Sequence, residues 1–270
     1  MEKTKVLFIS QEITPYLPET EMSMIGRYLP QGIQEKGREI RAFMPKYGII
    51  NERRNQLHEV IRLSGMNMII DDTDHPLIIK VASIQSARMQ IYFIDNEDYF
   101  HRKSLFFDHN GIPFTDNDER AIFFSRGVLE TVKKLRWSPD VVHCHGWITS
   151  LVPLYLRKCF KEDPLFHHTK VVYSLYDDQF TGNLNKTFKH KVKIDGVTED
   201  DVKIVDVPSY INVTKLAINM ADGIIVGNEN ILPEISSYIK TLKKPVLEYQ
   251  SKEKYIDAYS KFYDIVLDGH

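Results

Sequence analysis

Ten residues, Asp140-Val-Val-His-Cys-His-Gly-Trp-Ile-Thr149, constrain this chain more than any other stretch. A short apolar run ends in two histidines, and a helix is expected just beyond, over 149–159. Side chains alternate faces along a strand, so His143 and His145 point one way and Cys144 the other. A strand apolar on both faces is one covered on both, as in a parallel sheet flanked by helices. Ligands of such open sheets bind beyond the carboxyl ends of the strands. The histidine pair therefore marks where a site is expected.

Residues 6–9, Val-Leu-Phe-Ile, form a second run of this kind, and 39–44, 170–175 and 223–226 read as further strands. Helical patterns separate them. Met22, Ile25, Leu29 and Ile33 share one face of a helix starting near Thr20 and stopped by Gly37, with a kink or break expected at Pro30. Ala121, Phe124, Val128, Leu129 and Val132 share a face within 116–135, and 208–220 and 233–242 are helical too. Strands alternating with helices predict a doubly wound α/β sheet over 1–242. Residues 57–96 break the alternation with three β-like runs, 59–63, 77–84 and 90–94, which predict a small antiparallel insertion at the sheet edge. Tyr255, Ile256, Tyr259, Phe262, Tyr263 and Val266 fall on one wide helical face. They predict a terminal helix within 251–268, N-capped by Ser251 and docked aromatic face down. Residues 186–206 carry no clear pattern.

A formal net charge of −2 leaves no electrostatic footprint for nucleic acid. No apolar run reaches membrane-spanning length. The residues before Gln11 hold too few apolar side chains for a signal-peptide core. With only Cys144 and Cys159, there is no disulfide framework, and a cytoplasmic protein is expected.

Several ordered motifs carry a resemblance. They are Glu12-Ile-Thr-Pro15 after the first strand, Leu29-Pro30, Pro45-Lys-Tyr-Gly48, Asp116-Asn-Asp-Glu-Arg120 and His143-Cys-His-Gly-Trp-Ile-Thr149. In this order the chain resembles the N-terminal half of bacterial glycogen synthases and plant starch synthases. The resemblance implies a Rossmann-like fold, the first domain of a GT-B glycosyltransferase. Such enzymes bind the glucan acceptor largely on that domain and ADP-glucose or UDP-glucose largely on a second, and they need no metal or cofactor. It also implies catalytic roles for His143 and Asp116. Substrate contacts would come from His145, Trp147, Asn117, Arg120, Tyr176, Asp177 and Gln179, the last three flanking Asp178.

Three departures qualify it. Where the family has a Lys-Thr-Gly-Gly-Leu loop against the nucleotide sugar, this chain has Pro18, Glu19, Thr20, Glu21 and Met22. A helix N-terminus attracts anions, and two acids there repel a diphosphate while making a good helix start. Gly146 stands where the family has Asp. Only some forty residues follow Val226, too few for a second domain. The terminal helix resembles the one that returns from that domain, so the expectation is an acceptor-side domain with its closing helix, the middle having been lost.

The residues alone leave other readings open. His143 and His145 could satisfy buried groups at a strand end, Asp116 could cap its helix, Arg120 could pair with Asp116, and 176–179 could be a polar turn. A metal on the histidines is disfavoured, because no second pair completes a site. The expected function is a non-catalytic glucan-binding or regulatory relative in glycan metabolism. Its rivals are a glucosyltransferase completed by a separate donor-binding chain, and a homodimeric interaction module.

Overall fold

The computed structural model describes residues 3–269. Strand β1 (Lys5–Ser10) is buried from Val6 onward. Through α1 (Glu21–Glu35) the chain reaches β2 (Glu39–Pro45), parallel to β1 on one side. Next come β3 (His58–Glu59), β4 (Met66–Ile70), β5 (Thr73–Ile84) and β6 (Met89–Asp95). Helices α2 (Glu97–Phe100) and α3 (Asn117–Leu135) then lead back to β7 (Val141–His145), parallel to β1 on its other side. Outward from there follow α4 (Val152–Lys158), β8 (Lys170–Leu175), α5 (Phe188–Val192), α6 (Tyr210–Met220) and β9 (Gly223–Val226). The chain continues with α7 (Pro233–Ile239), β10 (Val246–Leu247) and α8 (Tyr255–Asp268).

The strand order is β10-β9-β8-β7-β1-β2-β6-β5-β3, with β4 paired to β5. The chain winds one way from β1 to β2 and the other from β7 to β10. The switch therefore falls between β1 and β7, where loops part and leave a crevice. No helix among the described residues is long and apolar enough to cross a membrane.

Local expectations and structure differ in four places. Helix α1 runs unbroken through Pro30. Burial of Met22, Ile25, Leu29 and Ile33 outweighs the roughly 3 kcal/mol an interior proline costs. Of the three runs expected in 57–96, 77–84 and 90–94 fall within β5 and β6, whereas 59–63 is mostly turn after the two-residue β3, and β4 lies outside all three. β6 lies inside the sheet, parallel to β2, while β5 pairs with it antiparallel. The expected helix over 149–159 begins later, as α4, after a 3-10 turn at Trp147–Thr149. Ser251 does not cap α8, since its hydroxyl bonds Glu253 instead.

Helix α8 lies against α1 and β8 with Tyr259, Phe262, Tyr263 and Val266 buried. Two glycines make room for it. A Cβ on Gly32 would lie 2.6 Å from Ile256, and one on Gly223 would lie 2.7 Å from Val266. Arg38 pairs with Asp264, and Lys36 with Asp257, along its outer edge.

Candidate functional site

A crevice of about 460 Å³ opens at the switch point. Its walls are the segments that leave the strand ends. Gln11 and Glu12 follow β1, Thr20 and Glu21 open α1, and Trp147 follows β7. Residues 176–180 follow β8, and Asn228 follows β9. Ser104, Leu105, Phe106 and Phe107 make the facing wall. Four carboxyl groups, three amides and five aromatic rings thus converge, and no lysine or arginine is among the lining residues.

His143 and His145 lie beneath this floor, both 0% exposed. His143 Nδ1 is 2.6 Å from the Tyr263 hydroxyl of α8, and its Nε2 is 2.7 Å from Ser174 Oγ. His145 Nδ1 is 2.8 Å from the Tyr176 hydroxyl. The two rings stand 3.8 Å apart. Burial, helped by the neighbouring His145, holds His143 well below the usual imidazole range, and burial alone lowers His145 to about 3. Both rings are therefore neutral, and they contact protein rather than the crevice. An unfolded chain protonates histidine near 6.5, whereas folded His145 does so only near 3, so stability drains away as pH falls below about 6.5. From His145 alone the loss is about 2 kcal/mol at pH 5. Urea titrations at pH 7.5 and pH 5 should show at least that drop, and His145→Gln should lessen it while His143 keeps its own share.

At the start of α1, Thr20 and Ser23 cap each other: the Ser23 N–H donates to Thr20 Oγ1 at 3.0 Å and the Thr20 N–H to Ser23 Oγ at 2.8 Å. The Thr20 hydroxyl donates to Glu12 at 2.8 Å. Glu21 accepts from Asn228 and, at 3.1 Å, from the Tyr249 hydroxyl. This helix end is occupied by its own side chains. Pro18 and Glu19 stand exposed beside it.

On the β8 side, Tyr176 turns inward to His145, while Asp177 and Gln179 are exposed at the crevice. Asp178 lies between them, accepting from the Trp147 N–H at 2.7 Å and the Tyr210 hydroxyl at 2.7 Å. Burial pushes its carboxyl up to about 6, against the pull of those two donors.

The structure separates the 116–120 motif from the crevice. Asp116 makes no side-chain cap bond; Arg102 holds its carboxylate at 2.5 and 2.8 Å. Arg120 does not pair with Asp116. It is fully buried and donates to the carbonyls of Tyr99 and Leu105 and to Asn117 Oδ1. Asn117 Nδ2 in turn donates to the Phe106 carbonyl at 2.9 Å. Rings of Phe100, Phe106 and Phe114 surround the guanidinium. Together these residues hold the facing wall in place from behind.

Trp147, Tyr176, Asp177, Gln179, Thr20 and Glu21 therefore meet at one crevice. His143 and His145 form its underlayer, and Asp116, Asn117 and Arg120 its outer support. Sequence reasoning passed over Gln11, Glu12, Phe106, Phe107, Phe180 and Asn228 as site residues. The strand-end rule identifies Gln11, Glu12 and Asn228 once the strands are placed. The aromatic loop had no periodic signal. Among the described residues no three His, Cys, Asp or Glu side chains converge to hold a metal ion.

Comparison with known proteins agrees with this architecture. A family model described as Starch synthase catalytic domain matches residues 5–244. Glycogen synthase of Chlorobium limicola is 40% identical over 174 residues, covering 64% of this chain and 36% of the relative. Glycogen synthase of Chlorobaculum tepidum is 40% identical over the same length and shares. The chain thus spans about a third of the length of these relatives. In fold it is similar to the catalytic domain of Starch Synthase IV from Arabidopsis thaliana, a structure bound to ADP and acarbose. The TM-score is 0.72 at 15% identity, over 93% of this chain and 52% of that one. The mixed α/β sheet is that of a GT-B glycosyltransferase domain.

Proposed function

The chain belongs to the starch synthase catalytic domain family, and from that premise we propose that it is a non-catalytic, glucan-binding relative whose crevice takes a neutral oligosaccharide. The carrying observation is the lining: carboxylates and amides between aromatic rings, with no cation. Sugar hydroxyls donate to carboxylates and amide oxygens, and their apolar faces rest on rings. A diphosphate finds no counter-charge among these residues, and the α1 N-terminus offers it two acids and a completed cap. Trp147, Gln179, Asp177 and Asp178 are assigned to sugar contact. His143 takes no catalytic role in this reading, because Tyr263 and Ser174 occupy its ring nitrogens. Residues 1–242 and the helix at 251–268 act as one acceptor-side unit, in the cytoplasm.

A second reading is a glucosyltransferase completed by a separate donor-binding chain. It is favoured by the family membership itself, whose model is described as a catalytic domain. Calorimetric titration with maltooligosaccharides, alongside ADP-glucose and UDP-glucose, separates the two. Glucan binding without nucleotide-sugar binding is the expected result. Nucleotide-sugar binding or glucose transfer by this chain alone would overturn the proposal.

Asp178 adds a pH dependence. A hydroxyl donating to its carboxylate favours the ionised form, so the ligand holds tightest above about 6 and loosens as pH falls through that value. If the bound ligand lowers the carboxyl by about one unit, affinity at pH 5 is about fivefold weaker than at pH 7.5. Asp178→Asn should remove this dependence, which calorimetry at both pH values reads directly.

A further inference from the structure

A separate cavity of about 220 Å³ opens at the other end of the sheet, where the parallel strands β2 and β6 begin and α1 finishes. Gln34, Glu39, Arg41, Arg88, Gln90 and Tyr92 contribute to it. Its charge is the reverse of the crevice's, with two guanidinium groups against one carboxylate and amides and a phenol between them. Elsewhere in the chain Arg38, Arg102 and Arg157 each pair with an aspartate. Among the described residues Arg41 and Arg88 pair with no acid.

The two cations are held in different ways. Arg41 and Glu39 stand two residues apart on β2 and so share a face. The Arg41 guanidinium lies over the Trp137 ring at 5.2 Å, and its Nη1 donates to the Tyr92 hydroxyl at 2.9 Å. Tyr92 is in turn stacked on Phe43, ring centroids 4.9 Å apart. Because that hydroxyl accepts from Arg41, its own proton can go to a ligand. Arg41 Nη2 makes no hydrogen bond among the described residues. Glu39 turns one oxygen to Trp137 Nε1. Arg88 is exposed and closes the short turn at Gln85–Ala87, its N–H donating to the Gln85 carbonyl at 3.1 Å. A guanidinium already fixed on a ring and a hydroxyl loses little further freedom when it binds.

We infer that this cavity binds a small phosphate dianion, as the free ion or as the monoester of a compact metabolite. Arg41 Nη2, the Arg88 guanidinium and the Tyr92 hydroxyl supply the donors, and a planar guanidinium matches phosphate oxygens two at a time. Gln34 and Gln90 stand exposed beside them, where the hydroxyls of an ester would lie. Glu39 opposes the ligand and holds the affinity to about millimolar, as expected of two charge-assisted contacts. The inference is independent of the glucan-binding reading, since it concerns the opposite end of the sheet.

The test is calorimetry on the full chain at pH 7.5 and low salt, with inorganic phosphate and, separately, with glycerol 3-phosphate. Wild type should bind with a Kd of about 1 mM and weaken several-fold as salt rises, because the site is partly exposed. Arg88→Gln removes a side chain that has no partner among the described residues, and should weaken binding about tenfold at unchanged melting temperature. Glu39→Gln keeps an acceptor for Trp137 and should tighten binding about fivefold, a gain that misfolding cannot produce. Tighter binding of glycerol 3-phosphate than of phosphate supports the ester as the ligand, and equal or weaker binding supports the free ion. No binding of either by wild type, or binding that either variant leaves unchanged, overturns the site.

Discussion

Tyr263→Ala is expected to lower the melting temperature by about 10–20 °C, the largest effect of any single side chain considered. Tyr263 sits on α8, is 0% exposed, and meets His143 edge-on with its hydroxyl 2.6 Å from Nδ1. Cutting a buried aromatic back to alanine costs about 3–5 kcal/mol. The stranded, buried His143 nitrogen adds about 1–3 kcal/mol. At about 5 kcal/mol in all, a domain of this size shifts by the range given. Tyr263→Phe separates the two contributions, since it keeps the ring and loses the hydroxyl, for about 1–2 kcal/mol. Scanning calorimetry of wild type and both variants makes the comparison. An alanine variant as stable as wild type would mean that α8 merely rests on the domain, and the packing at Gly32 and Gly223 would need another explanation.

Gly146→Asp, which restores the acid that the family resemblance places before Trp147, is expected to destabilise the chain by about 4 kcal/mol and to gain no glucan affinity. Gly146 has φ +91° and ψ 156°, a region that essentially only glycine occupies. A Cβ there would also lie 2.6 Å from Gln11 Cβ and 2.8 Å from Gln11 Oε1. Gln11 Cβ hangs directly from the backbone of the segment after β1, so it cannot swing aside. Gly146→Ala should therefore lose nearly as much as Gly146→Asp, because the cost lies in the backbone and the Cβ and not in the charge. Combining Gly146→Asp with Gln11→Gly should recover the steric part and leave roughly 2 kcal/mol of backbone strain. Urea midpoints of the three variants decide it. A fully stable Gly146→Asp would show that the β7 exit can take another path.

Much of the fold was legible because burial leaves periodic traces. Runs apolar on both faces located β1, β7, β8 and β9, and a 3.6-residue repeat located α1, α3 and α8. The antiparallel region was harder. Met66–Ile70 alternates buried Met68 and Ile70 with exposed Asn67 and Ile69, too short a signal to stand out before its partner β5 is known. At the site, the acids at the start of α1 and the residues after β8 were readable, since helix starts and strand ends follow local rules. Asp116 and Arg120 were not. Their spacing fits a one-turn ion pair, yet Arg102 takes the carboxylate and four aromatic rings enclose the guanidinium.

By itself the sequence determined a parallel α/β sheet, the strand ends at which a crevice opens, and the negative charge at the start of α1. Each is a local property, carried by periodicity, by the direction of side chains along a strand, and by residue charge. Only the tertiary structure decided what that crevice can touch. Alternation along β7 sets His143 and His145 on one face, but it cannot say what covers that face. The cover is Tyr263, 120 residues further along the chain, together with Tyr176 turned back from the next strand. Burial by a partner so distant in sequence leaves no trace near the histidines, which is why a pair that the sequence leaves open between ligand contact and buried support lies neutral and sealed beneath the floor of the site.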